Sequence, residues 1–101
     1  MSNRRTAMSG DKALFIPLTT KWFREFEAGT KEVEYRAYGP RWNEETCRHG
    51  RRVVLSHGYS GKRLHGRVGA FDKIRRSQAP KAAQEIYPTA EFIAAIHIDP
   101  L

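Results

Sequence analysis

Five short segments carry strand patterning, each fenced by glycine, proline or a polar turn, and this restricts the fold more than any other feature. "ALFIPL" (13–18) is a short apolar run suited to a buried first strand. "KEVEYRAY" (31–38) alternates with period two. Lys31, Val33, Tyr35 and Ala37 fall on one side, and Glu32, Glu34, Arg36 and Tyr38 on the other. "RRVVLS" (51–56) and the longer "LHGRVGAFDKI" (64–74) follow, and Gly66 and Gly69 predict a bulge or bend in the latter. "FIAAIHI" (92–98) is an apolar closing strand.

Two helices fit between these segments. One spans 20–28, with Thr19 or Thr20 as its N-cap, Trp22, Phe23 and Phe26 on its core face and Gly29 as its stop. The other spans 77–88, capped by Ser77 and stopped by Pro88. "GPRWNEETCRHG" (39–50) is a long polar connection with room for one helical turn after Pro40, and "HGYSGKR" (57–63) has hairpin-turn chemistry. The order is β-α-β-β-β-α-β. The expected class is α+β: a small, curled, five-stranded, mostly antiparallel β-barrel flanked by two helices.

With 101 residues, the chain has material for one domain, placed at 13–101 behind a basic, polar, disordered lead-in at 1–12. The apolar content of 40% is enough for a core. No apolar run is long enough for a membrane span, and the N-terminus lacks the apolar stretch of a secretory signal. A single cysteine, Cys47, has no internal disulfide partner, which points to a reducing, cytoplasmic setting.

The net charge of +7 is concentrated in residues 41–76. Arg41, Arg48, Arg51, Arg52, Lys62, Arg63, Arg67, Lys73, Arg75 and Arg76 stand there against only Glu44, Glu45 and Asp72. Such a field attracts polyanions, nucleic acid first among them, although a basic surface can also be merely solubilising. Arg41, Arg48, Arg51, Lys62, Arg63 and Arg67 are the candidates for a nucleic-acid backbone. Tyr38, Trp42 and Tyr59 are interleaved with them and are candidates for stacking on a base.

The densest mixture of charge is "GTKEVEYR" (29–36). Glu34 and Arg36 lie two apart on a strand, so they point the same way, with Lys31 at the corner beside them. Unit charges about 4 Å apart interact by roughly 4 kcal/mol at an effective dielectric near 20, so Glu34 is expected to stay ionised. Val33 and Tyr35 are expected to face the core while Glu34 and Arg36 look out. The trio can accept a base amino group and hold a phosphate or polarise a carbonyl, with Lys31 and Glu34 as candidate catalytic groups. The alternative is an ion pair that only orders the corner, worth about 0–1 kcal/mol if exposed.

Cys47 and His49, with His57 and His65, do not form a known structural zinc spacing, so neither a metal nor a cofactor is expected. "SHGYSG" (56–61) lacks the G-x-S-x-G pattern and a following helix, so it reads as a hairpin.

Gly29, Lys31, Glu34 and Arg36 match G-x-K-x-x-E-x-R, placed where a helix ends and a strand begins. This resembles the signature of ASCH domains, small stand-alone members of the PUA-like superfamily. "HGRRVVLS" is similar to the family's Gly-Asp-x-Val strand, and "EIYPTAEFIAAIHI" to its last helix, turn and closing strand. The similarity runs from about Leu14 to Ile98. It implies a PUA-like barrel and a module that binds RNA or a modified nucleotide. Some small members remove the acetyl group of N4-acetylcytidine, and others have been described as ribonucleases. The deacetylating members pair the signature Lys with a nucleophilic Thr three residues on; this chain has Glu34 there.

The leading expectation is therefore a binding module whose cleft, around Lys31, Glu34 and Arg36, takes RNA, a nucleotide or a nucleoside. The second is an enzyme on the same cleft, a hydrolase of an acylated nucleoside or a ribonuclease. The third is an adaptor whose basic face meets an acidic protein.

Overall fold

The computed structural model describes residues 12–101. The expected lead-in lies outside them apart from Lys12, whose carbonyl accepts a bond from Arg51 Nε at 3.0 Å. Strand β1 (Leu14–Leu18) is followed by helix α1 (Thr20–Ala28), β2 (Val33–Ala37), β3 (Arg52–His57) and β4 (Arg63–Arg75). A 3-10 turn (Arg76–Gln78), helix α2 (Lys81–Ile86) and β5 (Phe92–Pro100) complete the chain. The expected element order holds. The expected second helix is divided, because Pro80 lacks an N–H and can only open a new helix. Ser77 falls in the 3-10 turn rather than at a helix cap.

Helix α1 ends as its sequence demands. Gly29 adopts φ 81°, and its N–H reaches the Phe26 carbonyl. Thr19 is the N-cap by backbone position but makes no side-chain capping bond. The hydroxyl of Thr20 instead meets His57 Nε2 at 2.8 Å, tying α1 to the end of β3.

The strands form one sheet in the order β1-β3-β4-β5-β2. β1 runs parallel to β3, and the remaining neighbours are antiparallel. β4 carries a bulge between Val68 and Phe71, where Gly69 lets the Asp99 carboxylate approach; an added Cβ would sit 2.7 Å from Asp99 Oδ2. The sheet curls into a half-barrel and does not close, so the expectation of a barrel is corrected to an open one. β1 and β2 are its two edges.

Leu14, Ile16, Val53, Leu55, Val68, Ile96 and Ile98 line the inside of the curl, with Phe23 of α1 packed over them. The polar connection 39–50 folds as turns, one of them a single helical-type turn closed by Cys47 N–H on the Asn43 carbonyl at 2.9 Å, and it delivers Cys47, fully buried, to this core. Asn43 organises it, accepting from the Glu45 and Thr46 N–H groups and donating to the Gly39 carbonyl. A smaller cluster on the outside joins Ala79, Ala83 and Ile93 to Tyr35 and Tyr87. No helix among the described residues is long and apolar enough to cross a membrane.

Candidate functional site

The open seam between the two sheet edges holds a cavity of about 310 Å³. Pro17 and Leu18 come from β1, Thr19 and Trp22 from the start of α1, and Glu34, Tyr35 and Arg36 from β2, with Lys31 at the corner before it. Ala82, Ala83, Ile86 and Tyr87 of the α2 region form the far wall. Lys31, Glu34 and Arg36 therefore share one cleft.

Its orientation differs from the expectation. Glu34 is directly opposite Ile96 and Arg36 opposite Ala94, both core residues, so the charged side of β2 faces into the curl. Tyr35 lies opposite Ala95 and packs on the outer cluster. Alternation sorted these residues onto the right sides but did not say which side was inner. Glu34 is consequently 7% exposed.

Burial makes the ion pair demanding. Arg36 Nε donates to Glu34 Oε2 at 2.8 Å, and Lys31 Nζ lies 3.9 Å from Oε1. Arg36 Nη2 also donates to the Pro17 carbonyl at 2.9 Å. That bond spans the seam: a side chain on one edge strand is fastened to the backbone of the other. The loss of solvent raises the Glu34 pKa against the opposing pull of Arg36 and then Lys31, so burial outweighs the neighbouring cations. Burial also lowers the Lys31 pKa, with Glu34 opposing. The ammonium sits among aromatic rings, 4.9 Å from the Trp22 centroid, 5.3 Å from Tyr35 and 5.5 Å from Phe26. Burial also raises the pKa of the Tyr87 hydroxyl.

The backbone of β2 adds polar groups. Ile98 N–H bonds the Glu32 carbonyl, and Tyr38 N–H bonds the Phe92 carbonyl. This phase turns the even-numbered residues of β2 toward β5 and leaves the N–H and C=O of Tyr35 pointing into the seam. The cleft thus offers a carboxylate acceptor, an ammonium donor, one backbone donor and one backbone acceptor between apolar walls.

The other candidates are dispersed. Trp42 does not line the cleft; its ring backs the Arg36 guanidinium at 5.0 Å and faces Arg41 at 5.4 Å. Tyr38 donates to Glu44 and lies under Lys73 at 4.4 Å, outside the cleft. Tyr59 is 79% exposed at the β3–β4 turn, tilted against Phe15. Arg51 braces Thr46 and Lys12 carbonyls, Arg48 donates to the Glu45 carbonyl, and Lys62 pairs with Glu27. Arg63 and Arg67 donate to carbonyls of Tyr59 and Gly50. His49 Nδ1 meets the Gly69 carbonyl at 2.8 Å, and His97 lies 3.6 Å from Asp72. Among the described residues, no three His, Cys, Asp or Glu gather to hold a metal.

Sequence reasoning missed the whole α2 wall. No sequence signal joins it to the trio; only the structure shows Ile86, a large apolar residue, left 54% exposed at the end of a short helix. Sequence reasoning also placed Trp22 simply in the core, whereas one side of that ring is the cleft wall. A second cavity of about 410 Å³, over Phe26, Leu55, Leu64 and Ile98, shares only Lys31 with the first. No protein-family model and no curated protein matches the sequence.

Proposed function

We propose that this chain is a binding module for a nucleotide or for a modified base carried on RNA, with the seam cleft as the base pocket. The observation that carries the reading is the buried Glu34 carboxylate, held by Arg36 and Lys31 inside an otherwise apolar, nucleoside-sized cavity. A planar heterocycle suits walls of Trp22, Tyr87 and Ile86, its amino group donates to Glu34, and its ring edge meets the Tyr35 backbone. Lys31 takes a phosphate or carbonyl oxygen. The basic flank supplies sequence-independent attraction. The likeness of Gly29, Lys31, Glu34 and Arg36 to the ASCH signature supports the same reading and, with it, a PUA-like ancestry for the half-barrel.

The test is a thermal-shift screen of nucleosides, nucleotides and short RNA. At a hundredfold excess over Kd a ligand that binds only the native state adds about 2.7 kcal/mol. Lys31→Ala should abolish the shift. Binding should strengthen as pH rises through the raised Glu34 pKa, because only the ionised carboxylate accepts without donating. A screen in which no base-bearing compound moves the melting temperature would end this reading.

A second reading, hydrolysis on the same cleft, draws on the Lys31–Glu34 pair. A desolvated amine beside a carboxyl with a raised pKa is suited to proton transfer to and from a bound water. Turnover of N4-acylated cytidines or short RNA by the wild type, absent in Lys31→Ala, would favour it. Equal inertness of the two proteins rejects it for those substrates.

A further inference from the structure

The outer surface of β3 and β4 holds three arginines and a histidine that the cleft does not use. In the β3–β4 register Arg52 lies directly opposite Arg67, Val54 opposite His65, and Ser56 opposite Arg63. Residues opposite one another share a face, so Arg52, Arg63, His65 and Arg67 project together, away from the core residues Val53 and Leu55. All four are exposed. Like charges directly opposite on neighbouring strands destabilise a sheet, and Arg52 and Arg67 form such a pair. Among the described residues no carboxylate forms an ion pair with Arg52, Arg63 or Arg67. Asp99 is across from Arg67 in the register, but its carboxylate lies against Gly69.

Two further observations give this face a direction. Arg63, His65 and Arg67 alternate along one strand, which sets them about 6.6 Å apart at a rise of about 3.3 Å per residue. That repeat is close to the phosphate spacing of an extended nucleotide strand. At the Arg63 end the face turns aromatic. Phe15 of β1 lies beside Val54, with the Arg63 guanidinium 5.1 Å above its ring and Tyr59 at 6.3 Å. Phe15 is two residues before Pro17, which lines the cleft.

We infer that this face is a track for a single-stranded nucleic acid, with phosphates on Arg67, Arg52 and Arg63, a base stacked at Phe15 and Tyr59, and the strand directed toward the seam. The inference rests on the reading of the chain as a nucleotide or RNA binder and adds a second, separate contact surface to it. The guanidinium groups of Arg63 and Arg67 are already anchored on backbone carbonyls, so ordering them on binding costs little.

The experiment is fluorescence anisotropy with labelled oligo-U and oligo-dT, about twelve nucleotides long, a length that exceeds the smaller single-strand sites. Salt is varied upward from about 50 mM. Arg52→Gln/Arg67→Gln should weaken binding about tenfold or more and flatten the salt slope by about 1.4 units, since each of the two lost single-strand phosphate contacts removes roughly 0.7. Arg24→Gln/Lys81→Gln removes the same charge elsewhere and should change affinity less than threefold, in line with bulk charge alone. Arg52→Gln alone should weaken binding while holding or raising the melting temperature, because it removes the cross-strand repulsion; a merely structural role would lower both. Equal loss in the two double variants, or tighter binding of poly-glutamate than of either oligonucleotide, overturns the track. So does a loss of oligonucleotide binding confined to Lys31→Ala. Nucleoside thermal shifts that survive in Arg52→Gln/Arg67→Gln show the cleft intact, so the two readings fail separately. Oligo-U and oligo-dT bound alike place recognition in phosphates and stacking; a preference for oligo-U adds the ribose hydroxyl to the track.

Discussion

The cleft and the outer face of β3–β4 use the same side-chain chemistry in opposite circumstances. In the cleft a carboxylate is set between an arginine and a lysine and is almost wholly buried. On the outer face, arginines stand opposite each other in water, and among the described residues no acid forms an ion pair with them. The first arrangement is internally compensated and rigid, since removing one member leaves a buried charge. The second is left open to an external anion, and its members contribute little to stability. Charge alone does not distinguish the two; burial does.

The largest effect should follow from breaking the compensated region. Glu34→Ala leaves the half-buried Arg36 and Lys31 without their carboxylate and should destabilise by about 3 kcal/mol in urea unfolding, the low end for a broken buried pair, whereas Arg52→Ala should fall within about 0.5 kcal/mol. Similar values for both would erase the contrast. Arg36→Ala comes next. It removes the bond to the Pro17 carbonyl as well as to Glu34 and should cost about 1.5–3 kcal/mol. Hydrogen exchange should then speed up first in β1 and β2; uniform acceleration across the sheet would show that the bridge does not hold the seam.

A pH series sharpens the comparison further. Burial raises the folded pKa of Glu34 above its ordinary 4.5. The associated stability is complete below about 4.5 and is lost as pH rises through the folded value. Wild type should therefore lose stability relative to Glu34→Gln over that interval, and a pH-independent difference would contradict the direction. The smallest effect on stability belongs to Ala82→Phe. Ala82 is exposed on α2 yet lines the cleft, so the change should stay within about 0.5 kcal/mol while abolishing nucleoside shifts. Retained ligand binding in a stable variant would move the pocket away from the α2 wall.

Much of the local structure was legible. Helix α1 fills its expected span from Thr20 to Ala28, since Gly29 permits the left-handed turn that ends it. The glycine-marked bend in β4 appears as the bulge at Gly69. The helix at 77–88 broke because Pro80 overrode a good helical composition on both sides. The site was legible only where it is continuous in sequence. Lys31, Glu34 and Arg36 were found together, while the α2 wall, about fifty residues further on, had no signal strong enough to join them. Tyr38, Trp42 and Tyr59 were grouped with the trio by nearness in the chain or by aromatic character, and the fold sends them to three different places.

The sequence by itself determined the elements, their order and the partition of β2 into two sides, because these follow from local periodicity and turn chemistry. Which side of β2 became the interior was decided only by the tertiary structure. The sheet had to curl, stop short of closure and leave its edges β1 and β2 facing across a gap, with α2 laid against the outside. Burial is a property of that curl and not of any strand, so Glu34 became buried and Arg36 half-buried in a cleft instead of standing on a solvated face.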